Sequence, residues 1–566
     1  MTDPTGNHPQ TKGKTVTSTN QNNVTDLLVI GSGMGGAVMS KRLSDAGIKV
    51  MCLEQGDWVH PTQFPHFHDE WEFEKYRSWD FNTNLRKGPE DYPVTGIALP
   101  RMVNAVGGST IHFAGHWFRY RPADFRKGTE HGLEGTIDWP FTYEHLAPFY
   151  DINDAEVGIA GLRGDPSYPP RPERYSAPIK PGNGGRRMAQ AWDRLGWQWW
   201  PTDNAILTRG KDGRLPCNSC GNCLSGCPRG SLGATDVSYW PKALQNGVDL
   251  RTNARVEMIE VKDGRATGAV YIDRLTGARQ RISAEMVVVA ANGIGTPRLL
   301  LMSAQKGHAD GLANSHGLVG THLMHHCWSF ADMWFEDPIE GFKGAMGCSV
   351  HSQEFYETDP SRGFVNGMTL LTLGSFGAAY SAMGTHTAPP DPWGAGHRDA
   401  FNRHFGHHVV SFLQGDDLPV RTNRVTLDPS VTDSSGLPAA HIDYKITQND
   451  IALGDFGTAR LREAAEAAGA IEAHVTGVMH DPPGWHLMGS CRMGNNPDDS
   501  VTNAYNQTWD VPNLLVVDGS SLPTGAAVNP SSTIGAIAVR CAEFIKAKHA
   551  DIAHQTKTPA NNRVSW

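Results

Sequence analysis

The sequence predicts an α/β chain, α+β overall, in which a Rossmann-like nucleotide-binding domain is interrupted by the segments of a second, substrate-binding domain. Three observations carry this prediction. The chain opens on a strand, a glycine-rich turn, a helix and a second strand that stops at an acid; two later apolar strands end in glycine-containing turns; and aromatic-rich segments lie between these pieces.

The opening unit runs Asp26-Leu27-Leu28-Val29-Ile30 straight into Gly31-Ser32-Gly33-Met34-Gly35-Gly36, a G-x-G-x-x-G turn on Gly31, Gly33 and Gly36. Ala37 to Ala46 holds good helix formers and meets a C-cap glycine at Gly47, after which Ile48 to Leu53 is extended and ends at Glu54. A helix N-terminus with open glycine backbone receives a pyrophosphate, and a carboxylate at Glu54 accepts hydrogen bonds from both ribose hydroxyls while disfavouring a 2'-phosphate.

Later segments extend the nucleotide-binding pattern. The loop Arg101 to Arg119 contains Gly107-Gly108-Ser109-Thr110-Ile111-His112. A strand over Met286 to Ala290 leads to Ala291-Asn292-Gly293, and Thr296-Pro297 is expected to open a helix. Next come Gly484-Trp485-His486-Leu487-Met488-Gly489-Ser490 and the strand Leu514 to Val517 ending in Asp518-Gly519, followed by Asn529-Pro530-Ser531-Ser532-Thr533 and an apolar helix. The nucleotide-binding domain is therefore expected over 25–119, 216–330 and 481–547, the substrate domain over 120–215 and 331–480, and polar tails over 1–24 and 548–566. Asn449 to Ala468, with Gly469 beyond it, reads as a surface helix of the substrate domain.

Composition narrows the function. A chain of 566 residues with 39% apolar and 19% charged residues suits a folded enzyme of several domains, and a formal charge of -9 with no basic run argues against nucleic acid. No stretch of about eighteen apolar residues is present and the start is polar, so neither a membrane span nor a signal peptide of its own is expected.

Cys217, Cys220, Cys223 and Cys227-Pro228 follow the spacing C-x2-C-x2-C-x3-C-P, which bacterial ferredoxins use to hold iron and sulfur. Thiolates are soft ligands for iron-sulfur centres or zinc, and unligated structural thiols are the third reading. For chemistry, oxidising an alcohol needs a base for the hydroxyl proton, and His486 is the candidate. Asn529, ahead of Pro530, is expected to cap the following helix while its amide donates to the developing alkoxide.

These motifs in this order resemble the glucose-methanol-choline (GMC) oxidoreductases over roughly residues 25 to 547. Asp138-Trp139-Pro140, Leu146 to Tyr150 and Val289 to Gly293 are most similar to the FAD subunits of bacterial membrane-linked sugar dehydrogenases. The resemblance implies FAD as cofactor, a substrate domain built on an antiparallel sheet, and His486 and Asn529 facing the flavin. It implies cofactor contacts from Gly107, Gly108, Ser109, His112, Ala290, Asp518, Gly519 and Pro530, with His112 as the residue through which several relatives bind flavin covalently. It further implies a 3Fe-4S cluster on Cys217, Cys223 and Cys227, with Cys220 as an extra thiol and a four-ligand 4Fe-4S centre as the alternative.

On that likeness the chain oxidises a sugar, glycoside or polyol and sends electrons through the cluster to a cytochrome c or quinone. A small export subunit would carry it to the periplasm, and the membrane would be met only through partners. A cytoplasmic location is the alternative. Two other activities remain open at this point: an oxygen-using oxidase of sterols or long alcohols, marked by an apolar pocket, and a hydroxynitrile-type lyase with redox-idle FAD.

Overall fold

A computed structural model describes residues 23–64, 91–96, 100–221, 223–345, 347–375, 377–383, 393–481 and 484–555. Most of the expected tails lies outside these residues. Where described, the tails are structured: Val24 already begins a strand and the last helix, Ser531–His554, runs past the expected boundary at 547.

Strand Val24–Ile30 pairs in parallel with Val50–Leu53 on one side and with Arg279–Val289 on the other, so that Ile30 lies opposite both Leu53 and Val289. Leu27, Leu28 and Val29 are fully buried, the pattern of a strand covered on both faces. Asp249–Arg251 and Leu514–Val516 add further parallel strands, and Ala254–Lys262 with Arg265–Asp273 completes the seven-stranded sheet by antiparallel pairing. The carboxyl ends of three parallel strands, Ile30, Leu53 and Val289, thus stand side by side, where open α/β sheets place their ligands.

A six-stranded antiparallel sheet forms the second layer, in the order Glu472–Val475, Cys327–Trp334, His408–Gly415, Met368–Leu373, Val350–Ser352, Trp200–Pro201. Helix Gln448–Ala468 packs against it. As expected from sequence, this helix is a surface element: Leu453, Leu461, Ala464, Ala465 and Ala468 form the apolar stripe buried under that sheet, while Ala452, Asp455, Arg462 and Glu466 are exposed. Its start is a capping box: the Thr447 hydroxyl accepts from the Asp450 N–H at 3.2 Å, and the Asp450 carboxylate accepts from the Thr447 N–H at 2.8 Å. Thr447→Ala is expected to lower stability by about 1 kcal/mol, read as a lower midpoint in urea at unchanged slope.

Three sequence-based boundaries shift. Helix Asn292–Met302 begins before Thr296-Pro297, because the Asn292 side-chain oxygen accepts from the N–H groups of Ile294 (2.9 Å) and Gly295 (3.1 Å). Pro297 then sits inside the helix and cannot donate to the Gly293 carbonyl; the Ser490 hydroxyl donates to it instead, at 2.8 Å. Helix Tyr143–Val157, from a segment expected in the substrate domain, packs on Ser531–His554, with the Asn153 amide donating to the Ser532 carbonyl at 3.2 Å. Conversely Val94–Gly96, from the nucleotide-binding segment, pairs with Pro438–Asp443 of the substrate segment. The two regions share more chain than a boundary at 119 allows. Among the described residues no helix is long and apolar enough to cross a membrane.

Candidate active site

A cavity of about 670 Å³ starts at the strand ends of the parallel sheet and reaches the inner face of the antiparallel one. At its first end lie Gly31, Gly33 and Glu54. Gly31 has φ +97°, and a Cβ there would stand 2.4 Å from the Ala290 carbonyl oxygen, so this turn admits only glycine. Gly36 packs directly behind it, where a Cβ would meet the Gly31 carbonyl oxygen at 1.9 Å. Glu54 is buried at the end of its strand; its carboxylate accepts from the Ser32 N–H (3.0 Å), the Ser32 hydroxyl (2.6 Å) and the Gly56 N–H (2.9 Å). Burial pushes its pKa up against these bonds.

Gly107 (φ +101°) opens the short turn Gly108–His112, from which Gly108, Ser109 and His112 face the cavity. The Thr110 hydroxyl ties this turn down by donating to the Gly107 carbonyl at 2.6 Å. His112 is buried, with its ring edge-on to Phe64 at 6.3 Å. Ala290, Asp518, Gly519 and Pro530 line the cavity midway. Asp518 is no surface turn: it is buried and accepts from the Thr296 hydroxyl (2.6 Å), the Asn292 N–H (3.0 Å) and the Ser520 N–H (2.8 Å), tying its own turn to the helix that starts at Asn292.

His486 and Asn529, 43 residues apart, meet at the far end with Asn529 Nδ2 at 2.9 Å from His486 Nε2. Asn529 therefore does not cap the helix after it with its side chain; Pro530 holds the N-cap position without a side-chain bond. The chain around His486 is pinned from several sides. The Arg101 N–H donates to the Gly484 carbonyl (2.8 Å), Met324 and Met488 exchange backbone bonds (3.0 and 3.2 Å), and the Gly489 N–H donates to the Gly519 carbonyl (3.1 Å).

Two further histidines complete this end, neither of them expected from sequence. His326 Nδ1 lies 2.8 Å from His486 Nδ1, and His116 lines the cavity beside Asn529, accepting the Cys348 N–H at Nε2 (2.9 Å). No local pattern marks them, since long-range folding alone brings them in. The wall opposite is apolar: Trp328, Phe330, Leu373, Phe412, Met479 and Trp485, with Thr476 as its polar member. The Trp197, Trp199 and Trp200 cluster lies elsewhere, with Trp197 against Phe355.

Burial lowers the pKa of His486, helped by the neighbouring His326, His116 and His325, so the ring is neutral at neutral pH and keeps a lone pair for a proton. Burial also lowers His116 and His325 to about 4 and His322 to about 3, and lowers His326. These rings are neutral when folded but protonate below an ordinary pKa of about 6.5 when unfolded, so the unfolded state binds more protons there. Stability is expected to fall as pH drops from about 6.5 towards 4, by up to about 1.4 kcal/mol per pH unit for each such ring. Urea unfolding of the holoenzyme across that range reads it.

The cysteine expectation needs correction. Cys217, Cys220, Cys223 and Cys227 are not gathered into a metal cage: among the described residues no group of three or more His, Cys, Asp or Glu is placed to hold a metal ion. The backbone explains why. Ser219 takes φ +64° and Cys220 bridges to Gly344 with its side chain exposed, whereas Cys223 is buried against Ile179, Ile206 and Leu232 with Cys217 and Cys227 packed beside that cluster. As placed, these residues lend no support to an iron-sulfur or zinc centre.

A parallel-sheet cradle with a glycine turn and a buried acid, opening onto a neutral histidine and an amide, suits a dinucleotide-dependent oxidoreductase. The chain belongs to the GMC oxidoreductase family, whose models match residues 25–328 and 419–538. It is 60% identical to 2-methyl-1,2-propanediol dehydrogenase of Mycolicibacterium austroafricanum, over 95% of this chain and 98% of that one. It is 27% identical to the fructose dehydrogenase large subunit of Gluconobacter japonicus, over 92% and 97%. Its fold matches a variant of Aspergillus oryzae RIB40 formate oxidase, solved in connection with FAD modification, at TM-score 0.61 and 14% identity over 94% and 99% of the chains.

The protein is thus an FAD-dependent alcohol dehydrogenase, and FAD suits the cavity. A Cβ-free approach at Gly31 and a carboxylate at Glu54 lie at one end, and the His486–Asn529 pair lies at the other. Bound there, FAD supplies the acceptor for a hydride from the carbinol carbon.

Proposed function

We propose that the enzyme oxidises a primary hydroxyl of a small, branched aliphatic alcohol or vicinal diol to the aldehyde, and that sugars are not its substrates. The apolar wall of Trp328, Phe330, Leu373, Phe412, Met479 and Trp485 carries this reading. A sugar ring set against that wall would leave several hydroxyls without partners, at a cost of about 1–3 kcal/mol each. A compact hydrocarbon branch has no such cost, and burying it is favourable by about 25 cal/mol per Å². The 2-methyl-1,2-propanediol dehydrogenase likeness supports the same class. In that diol only the primary carbinol carries C–H bonds, so only it can lose a hydride.

In this reading His486 Nε2 takes the hydroxyl proton, and the Asn529 amide turns its N–H to the oxygen as negative charge grows there. The aromatic wall excludes water and sets the carbinol carbon towards the cofactor side of the cavity. Trp485, 38% exposed and edge-on to Trp328 at 5.1 Å, closes the outer side.

An anaerobic screen tests this. Flavin colour in the holoenzyme is expected to bleach with 2-methyl-1,2-propanediol and similar branched primary alcohols, and to persist with glucose, fructose or gluconate. Bleaching by the sugars alone would overturn the substrate assignment, and no bleaching by any alcohol would favour a redox-idle lyase. Reoxidation by a dye but not by oxygen separates a dehydrogenase from an oxidase. Attachment of flavin to His112 is read from the same preparation: colour that stays with the acid precipitate reports the covalent bond.

A further inference from the structure

We propose that His326 is a positioning residue that fixes the tautomer of His486, leaving the lone pair of the catalytic base on Nε2, the nitrogen that faces the substrate. The inference rests on the assignment of His486 as base and explains how a buried neutral imidazole presents its correct side.

The geometry supplies a one-way chain of hydrogen bonds. His326 Nε2 lies 2.5 Å from the Ala526 carbonyl oxygen, which can only accept, so Nε2 carries the proton. A neutral His326 then has a lone pair at Nδ1, which lies 2.8 Å from His486 Nδ1. One of those two nitrogens must donate, and the donor is therefore His486 Nδ1–H. With its proton held there, His486 Nε2 has a lone pair pointing at Asn529 and the cavity. The two rings are nearly perpendicular, at 89° with centroids 4.9 Å apart.

His326 is built to hold this position. Its backbone has φ +70°, a strained conformation for a residue other than glycine that persists only where its surroundings impose it. Asp417 imposes it: the two carboxylate oxygens accept the N–H groups of His325 (2.8 Å) and His326 (2.9 Å), and the Tyr444 hydroxyl donates to the same carboxylate at 2.6 Å. The titratable and charged groups facing the pair are Asp417 and Tyr444 on this side, Lys127 with its Asp416 partner beyond Gly525, and His325 and His116. Lys127 and Asp417 oppose each other in their effect on His326, and burial keeps its ring neutral.

During turnover the substrate O–H bond breaks and an N–H bond forms at His486 Nε2, while the carbinol C–H bond breaks and its electron pair would leave as hydride to the bound FAD. The positive charge gained by His486 is shared across the Nδ1–H···Nδ1 bond with His326, whose own proton stays on Nε2 and is donated to the Ala526 carbonyl.

The test compares anaerobic flavin reduction by wild-type, His486→Ala, His326→Asn and His326→Leu holoenzymes, using an alcohol that bleaches the wild type, over about pH 6 to 9. Asn presents a carbonyl oxygen where Nδ1 stood and still accepts from His486 Nδ1–H. His326→Asn is expected to stay within about tenfold of wild type with a level pH profile, while His326→Leu loses about 10²–10⁴-fold and its rate climbs with pH without a plateau. The proposal is overturned if Asn falls as far as His486→Ala, or if Leu remains within about tenfold of wild type. Should the Leu variant fail to retain FAD, the Asn result alone decides. A His486→Ala enzyme that bleaches at the wild-type rate would instead strike at the base assignment.

Discussion

His486→Ala is expected to slow anaerobic flavin reduction by about 10²–10⁴-fold with FAD still bound, the largest effect of any single side chain in the cavity. The expectation comes from where the proton can go. His486 Nε2 is the nitrogen beside Asn529 on the cavity side, and the ring is neutral at working pH because burial lowers its pKa. His116, which also lines the cavity, cannot replace it, because its Nε2 already accepts the Cys348 N–H. A group that acts only as the proton leaves should lower kcat with little change in KM. Stopped-flow reduction with the responsive alcohol, beside a visible spectrum of bound flavin, measures both. Loss of FAD from the variant, or a rate within about threefold of wild type, would remove His486 from the chemistry.

Gly31→Val is expected to yield protein without flavin and with a markedly lower melting temperature. Any side chain at φ +97° costs about 1–3 kcal/mol, and here the Cβ would also stand 2.4 Å from the Ala290 oxygen and 2.9 Å from its carbon. That backbone cannot retreat, since the Ala290 N–H donates to the Ile30 carbonyl at 2.8 Å and the adjoining strand is bonded on both sides. Against a typical total stability of about 5–15 kcal/mol the loss is large. Gly33→Ala makes the contrast: φ is -70° and the nearest heavy atom, the Gly108 Cα, is 3.9 Å away, so the protein itself should fold. Flavin lost from Gly33→Ala with unchanged apoprotein stability would report crowding of the cofactor and not of the chain. The flavin-to-protein absorbance ratio and a thermal melt of each variant distinguish the two.

Much of this architecture is legible because its signals are local. Residues 26–54 carry strand, glycines, helix and acid in one run, and the structure sets them as a parallel unit with Glu54 at the cavity. His486 and Asn529 are also readable, though only through the resemblance that pairs two distant motifs. What escaped the sequence was decided by partners far along the chain. Asn292 outcompetes Thr296-Pro297 as the helix start because its side chain caps two N–H groups and Ser490, about two hundred residues on, satisfies the carbonyl that Pro297 leaves open. The cysteine spacing describes what four thiolates could do, whereas a bridge from Cys220 to Gly344 decides where the loop goes. His326 carries no signature at all; its left-handed backbone exists only because Asp417 holds it. The proposed substrate preference is unreadable in the sequence for a related reason, as the aromatic wall is assembled from four separate segments.

Strand Leu514–Val516 closes the parallel sheet against Val287–Val289, itself paired with the first strand of the chain. Ribosomal synthesis therefore releases the amino-terminal half long before its last sheet neighbour exists. The nascent polypeptide must wait with one flank of Arg279–Val289 incomplete, a state prone to self-association. Heterologous expression at reduced temperature, or with co-produced holdases, should raise the soluble yield more than any change made to the mature surface.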